Sequence, residues 1–242
     1  MRLLITILFL LLLFNCENKP SKQEKKVTVP VKIDTIKANA AKIEVEDIVI
    51  DSSKLTLEEK FLPLNSKNAM DFFLEYEKEN KENKVRMYTE YGNIDILLYD
   101  KVKFHRANFI FLVKHHVFDG TQFHRVVKDF VIQGGNSDNK KVLKKRRKIG
   151  RYLLPPDTKR GYKHHRGVIS VPSSEIDNAY KLASPFEFFI TQKNQHHLDG
   201  DYTIFGKVIK GMSVVDKIAE QEVDGGHWPV HNIYIKKVEI IK

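Results

Sequence analysis

The chain has one cysteine, Cys16, among 242 residues, and that scarcity closes off several possibilities at once. No intrachain disulfide can form, so any folded domain must stand on its apolar core alone. The histidine pairs His115-His116, His164-His165 and His196-His197 have no cysteine or carboxylate at ligand spacing, so they read as surface histidines. No metal and no cofactor is expected. Long hydrocarbon runs are also missing. The longest, Leu3 to Phe14, is twelve residues, too short to span a bilayer and of the length of a signal-peptide core. Acidic residues are nearly absent from 140–166, where twelve Lys or Arg stand against Asp157 alone. No aromatic platform alternates with these charges, so this segment reads as a solvated basic loop and no nucleic-acid partner is expected.

What is present begins with Met1-Arg2, the hydrocarbon run and then Cys16. Leu13-Phe14-Asn15-Cys16 resembles a bacterial lipobox, in which Cys16 would be diacylated and become the new N-terminus. Asn15 stands where a small residue is usual, and an uncleaved signal anchor is the other reading. Both imply export. Removing residues 1–15 takes away Arg2 and lowers the formal net charge from +10 to +9. Residues 16–42 are Lys, Glu, Asn, Ser and Pro with little apolar material, a flexible tether. An N-terminal extension follows over 43–83. It holds a short alternating stretch from Lys42 to Ile50 and a helix over Ser66 to Lys78, capped by Asn65 or Ser66. The stripe Ala69, Met70, Phe72, Phe73 and Tyr76 requires that helix to cover an apolar surface.

From residue 84 onward the pattern is that of sheet. Val85 to Tyr99 has two β-rich arms around Tyr91-Gly92-Asn93, a hairpin. Strands follow at Gly167 to Val171, Phe186 to Gln192, Gly200 to Lys210 and Ile233 to Ile241. Two helices interrupt them, Ala107 to His115 and Ser213 to Glu220, the second capped by Ser213. Many short strands with two helices point to a closed β-barrel whose ends the helices plug.

The stretch on which the chain turns is GTQFHRVVKDFVIQGG, Gly120 to Gly135. Its apolar residues place a guanidinium, Arg125, and an amide, Gln133, inside sheet, and Gly134-Gly135 free the backbone to turn away. An arginine there either snorkels to water from a strand edge or lines a cavity. Phe123-His124-Arg125, Phe130 and Gln133-Gly134-Gly135 together resemble the signature of the cyclophilin-type peptidyl-prolyl isomerases. The resemblance continues through Gly167-Val168-Ile169-Ser170, Glu187-Phe188-Phe189-Ile190, Leu198-Asp199-Gly200 and Phe205-Gly206-Lys207-Val208.

That resemblance implies an eight-stranded antiparallel barrel with two capping helices over 84–242, acting on proline-containing unfolded or extended polypeptides as a monomer. It implies Arg125 and Gln133 as catalytic residues, Gln133 holding Arg125 in place. Phe130, Val131, Glu187, Phe189, His197, Leu198 and Tyr202 would line the substrate site. Three positions depart from the family pattern. Glu187 replaces a usual glutamine, which would pair it with Arg125 or change the polarity of the rim. His197 replaces a common tryptophan, and Tyr202 a common histidine. Pro172-Ser173-Ser174 also replaces the family's Ala-Asn-Ala clamp. These departures keep a second reading open, a non-catalytic module that binds proline segments. A surface protein that binds polyanions through the basic loop is a third.

Overall fold

A computed structural model describes residues 55–173 and 178–242. The signal segment, Cys16, the tether, the stretch at 42–50 and Ser174 lie outside the described residues. The hairpin expected around Gly92 forms from β1 (Lys84–Thr89) and β2 (Gly92–Leu98), with Thr89 opposite Gly92. Six further strands follow: β3 (Thr121–Val127), β4 (Val131–Asn136), β5 (Val168–Ser170), β6 (Phe188–Thr191), β7 (Ile204–Lys210) and β8 (Ile233–Ile240). All pair antiparallel and close into a barrel in the order β1-β2-β7-β5-β6-β4-β3-β8. Closure leaves no sheet edge unpaired. The expected architecture is therefore the observed one.

Among the described residues five α-helices accompany the barrel: α1 (Leu57–Phe61), α2 (Ala69–Glu79), α3 (Lys103–Lys114), α4 (Lys140–Ile149) and α5 (Met212–Ala219). α3 is buried continuously from His105 to Val113, on every face, and starts four residues before the expected Ala107. A helix buried all round needs cover on both sides. One side meets β7 and β8, and α2 covers the other. Phe72 and Phe73 of α2 are fully buried, as their adjacency demanded. Phe72 meets Phe111 edge-on at 5.0 Å, Tyr76 meets Phe111 at 5.3 Å, and Phe73 lies 5.6 Å from Tyr152. Each buried ring contributes about 2 kcal/mol. Arg106 of α3 is fully buried and uses both terminal nitrogens to fix α2, while its Nε has no hydrogen-bond partner. It donates to Glu77 Oε1 and to the carbonyls of Asn80 and Glu82, each at 3.0 Å.

Several element ends differ from expectation for local reasons. α2 starts at Ala69 because Asn65 and Asn68 form a turn first. The Asn65 N–H donates to Asn68 Oδ1 at 2.7 Å, and the Lys67 N–H to Asn65 Oδ1 at 2.9 Å. Ser213 lies inside α5 rather than at its cap, which is Gly211 at φ 94°. α1 was not anticipated, although Thr56 and Glu59 form a reciprocal capping box that opens it.

The largest correction concerns the basic segment, whose first ten residues are a helix, not a loop. Asn139 caps α4 by accepting the Lys141 N–H at 2.9 Å. Val142, Arg146 and Ile149 then form one inward stripe at helical spacing, with Val142 and Ile149 buried.

Candidate active site

The site begins with an irregularity in β3. Phe123 pairs with Gly134 and Arg125 with Gln133, so His124 is an extra residue on its strand and the register shifts around it. Neighbouring residues of a regular strand face opposite ways. A bulge removes that constraint, so His124 and Arg125 both line the same cavity.

That cavity, about 600 Å³, takes Val131, Gln133 and Asn136 from β4, with Phe130 just before it. Glu187 and Phe189 come from β6 and its approach, and Leu198 and Tyr202 from the turn before β7. Pro172, Ser173 and Ser184 complete the wall. Val131, Phe189 and Leu198, with Phe130 and Tyr202 against them, form an apolar cluster separate from the main core.

Gly134-Gly135 do not turn the chain away, since β4 runs on to Asn136. They allow close approach instead. A Cβ on Gly134 would press on the rings of Phe123 and Phe188, and one on Gly135 (φ 106°) would collide with the Phe186 carbonyl.

Arg125 is half-buried and, among the described residues, has no hydrogen-bond or ion-pair partner. Its guanidinium carbon lies 5.8 Å from the centre of the Phe130 ring. Phe130, not Gln133, is what steadies it. Gln133 faces Arg125 across the β3–β4 pair but commits its Nε2 to Glu187 Oε2 at 3.1 Å. An ionised carboxylate only accepts, so the amide is turned with its NH₂ toward Glu187 and Oε1 is its remaining acceptor. Glu187 makes no pair with Arg125. It sits with Gln133 and with His124, whose Nε2 is 3.7 Å away, and sets the polarity of the rim.

His197 does not line the cavity. It is exposed and stacks on Phe130 at 5.6 Å and 18°.

Besides the lining residues His124, Asn136 and Ser184, two residues behind the cavity went unrecognised in the sequence. Arg146 of α4 donates to the Gly135 carbonyl and lies 5.0 Å over the Phe186 ring, so α4 braces β4 behind the cavity. Burial lowers its pKa, and the charge of Glu187 opposes that shift.

His164 is the second, and it is fully buried rather than a surface residue. Its main-chain N–H donates to Asp199 Oδ1 at 2.7 Å, and its Nδ1 lies 2.9 Å from the same oxygen. Nε2 then accepts from the Ser170 hydroxyl at 3.1 Å. Burial opposes ionisation of Asp199, but the two hydrogen bonds from His164 hold its carboxyl down at about 2. Burial likewise lowers the His164 pKa, against the pull of Asp199. Asp, His and Ser in this chain invite comparison with a hydrolytic triad, but Ser170 is fully buried and does not line the cavity. The chain of bonds positions walls instead. The His164 ring lies flat on Phe189 at 6.0 Å and 12°, and Asp199 follows directly after Leu198.

The model of the family described as cyclophilin type peptidyl-prolyl cis-trans isomerase/CLD matches residues 84–240. Among curated relatives, peptidyl-prolyl cis-trans isomerase CYP18-1 of Arabidopsis thaliana is 35% identical over 158 residues, covering 64% of this chain and 94% of its own. A peptidyl-prolyl cis-trans isomerase of Acinetobacter baylyi is 37% identical over 142 residues, 56% of this chain and 71% of its own. Peptidyl-prolyl cis-trans isomerase-like 2 of Rhizopus delemar is 36% identical over 68% of this chain, which spans only 30% of that longer protein. Among solved structures, a Cryptosporidium parvum cyclophilin type isomerase crystallised in the presence of the dipeptide Ala-Pro superimposes with a TM-score of 0.55 at 28% identity. It covers 66% of this chain and 99% of that one.

Proposed function

The chain belongs to the cyclophilin-type peptidyl-prolyl cis-trans isomerase family, and from that membership we infer that its barrel accelerates rotation about Xaa-Pro bonds. Amide resonance holds such a bond planar behind a barrier of ~20 kcal/mol. Rotation breaks no covalent bond. A catalyst needs to hold the proline ring, take the amide out of water and stabilise the twisted state better than the planar one. The apolar cluster of Phe130, Val131, Phe189 and Leu198 holds the ring. Arg125 supplies the hydrogen bond to the twisting amide, from a guanidinium that keeps its protons at any physiological pH.

The observation that carries this reading is an uncommitted guanidinium in the same cavity as a separate apolar cluster. An arginine kept for structure would be engaged as Arg106 is. Protease-coupled turnover of a Xaa-Pro peptide by the purified protein tests it. Turnover above the uncatalysed rate is expected, and its absence in folded protein would leave a proline-binding module.

The cellular setting follows from the N-terminus. The protein is exported, lipidated on Cys16 and held at a membrane, where it acts as a monomer on proline-containing segments of exported polypeptides. The hydrocarbon run ending at the lone cysteine supports this setting. Radiolabelled palmitate should mark the wild type and not Cys16→Ser. Equal label in both would remove the anchor.

A further inference from the structure

The cavity carries a second charge that ring capture and amide rotation do not use. Glu187 is about a quarter exposed and lines the cavity beside Gln133. One carboxylate oxygen accepts from Gln133. The other is neither buried without a partner nor engaged by any described side chain, so it is open to a guest. Arg146 of α4 donates to the Gly135 carbonyl and lies over the Phe186 ring; its Nε is unpartnered and it feels the charge of Glu187, but it makes no ion pair with that carboxylate. The group facing it across the rim is the His124 ring.

We propose that Glu187 is a specificity residue that selects Xaa-Pro segments carrying a lysine or arginine two or three residues from the proline. This rests on the isomerase reading and names its substrate class. The spacing comes from the barrel. Arg125 on β3 faces Gln133 on β4, which faces Phe189 on β6, and Glu187 lies two residues before Phe189 on the same side. Adjacent strands are ~4.8 Å apart and two residues along a strand add ~6.6 Å at right angles, so Arg125 and Glu187 are separated by about 12 Å at the backbone. An extended guest rises ~3.3 Å per residue, so a segment with its proline amide at Arg125 covers about 7–10 Å in two or three positions, and the length of a lysine or arginine side chain spans the remainder to Glu187. A long cationic side chain can reach the free oxygen there, while an anionic one is repelled. The cations exposed on α4 act against this preference, but they lie in water, where salt screens them within ~8 Å at physiological ionic strength. A contact ion pair on a half-buried carboxylate is screened less.

The test is a peptide series with Lys, Gln or Glu at one, two or three positions on either side of the proline. Both kcat/KM and Kd are read for wild type, Glu187→Gln and Glu187→Lys, and each protein's Gln peptides are its own baseline. In wild type the Lys-to-Gln ratio should reach about 3- to 10-fold at the second or third position, mainly through KM. It should fall to about one or below in Glu187→Gln, invert in Glu187→Lys, and shrink at ~0.5 M salt. A ratio near one at every position in wild type overturns the proposal, as does a preference that survives in Glu187→Gln. The Kd values separate the two readings. A Glu187-dependent preference in Kd without turnover of any peptide supports the specificity and removes the isomerase. Turnover without any preference does the reverse.

Discussion

Two apolar regions of this barrel protein are built alike and finished differently. Under α2 and α3, rings pack on rings: Phe72, Phe73, Phe111 and Phe188 are fully buried, and Arg106 beside them spends both terminal nitrogens on Glu77 and two main-chain carbonyls. Around Phe130, Val131, Phe189 and Leu198 the same residue types stop short, leaving about 600 Å³ and an arginine with free donors. A sealed region adds stability. An unfinished one gives up stability for a shape that a guest completes. The difference lies in whether the rings close on one another or leave open space, not in hydrophobicity.

Breaking the sealed region should have the largest thermodynamic effect. Phe72→Ala leaves a cavity that closed packing cannot refill and should lower unfolding free energy by about 3–5 kcal/mol, read from the denaturant midpoint. The kcat/KM of the remaining folded protein should not change.

The same region holds an acid-sensitive point. His105 on α3 is buried with neither ring nitrogen paired, and burial lowers its pKa to about 4. Its folded pKa therefore lies below the unfolded value of ~6.5. Above that value neither state carries the proton and stability is full. As pH falls from ~6.5 toward 4 the unfolded chain is protonated first, and stability is lost. Between pH 7 and 4.5 the wild type should lose about 2–3 kcal/mol more than His105→Leu.

The unfinished region should respond with a smaller loss of stability and a larger loss of binding. Phe189→Ala removes a ring that already borders open space, so its stability cost should be nearer 2 kcal/mol than that of Phe72→Ala. Its KM for a Xaa-Pro peptide should rise about tenfold or more. Equal stability costs at Phe72 and Phe189 would mean that the two regions do not differ as described.

Much of this was legible in the sequence, for reasons that also explain the failures. Phe72-Phe73 announced a covered helix because adjacent rings on a short helix can both be satisfied only under another layer. The Arg125 segment announced a site because a guanidinium amid β-forming apolar residues has few tolerable positions. His164 misled because its partner Asp199 lies 35 residues away, and only barrel closure brings them together. The basic segment misled through its charge, which hid the Val142, Arg146 and Ile149 stripe on which α4 rests. His124 entered the cavity through a bulge, which leaves no mark in the pattern of side chains. The orientation of Gln133 depended on Glu187, 54 residues further on.

The central claim is that Arg125 stabilises the twisted amide rather than holding the barrel together. The measurement that tests it sets kcat/KM for a Xaa-Pro peptide beside a binding titration of the same peptide, in wild type, Arg125→Ala and Arg125→Lys. Arg125→Ala should lose about 10²–10³-fold in kcat/KM, comparable to deleting a preorganised donor to a developing charge. Arg125→Lys should recover little, because an ammonium does not reproduce the planar fork. Peptide affinity should fall far less in both, and the unfolding midpoints should stay close to wild type. An Arg125→Ala variant that is folded and as active as the wild type would contradict the account.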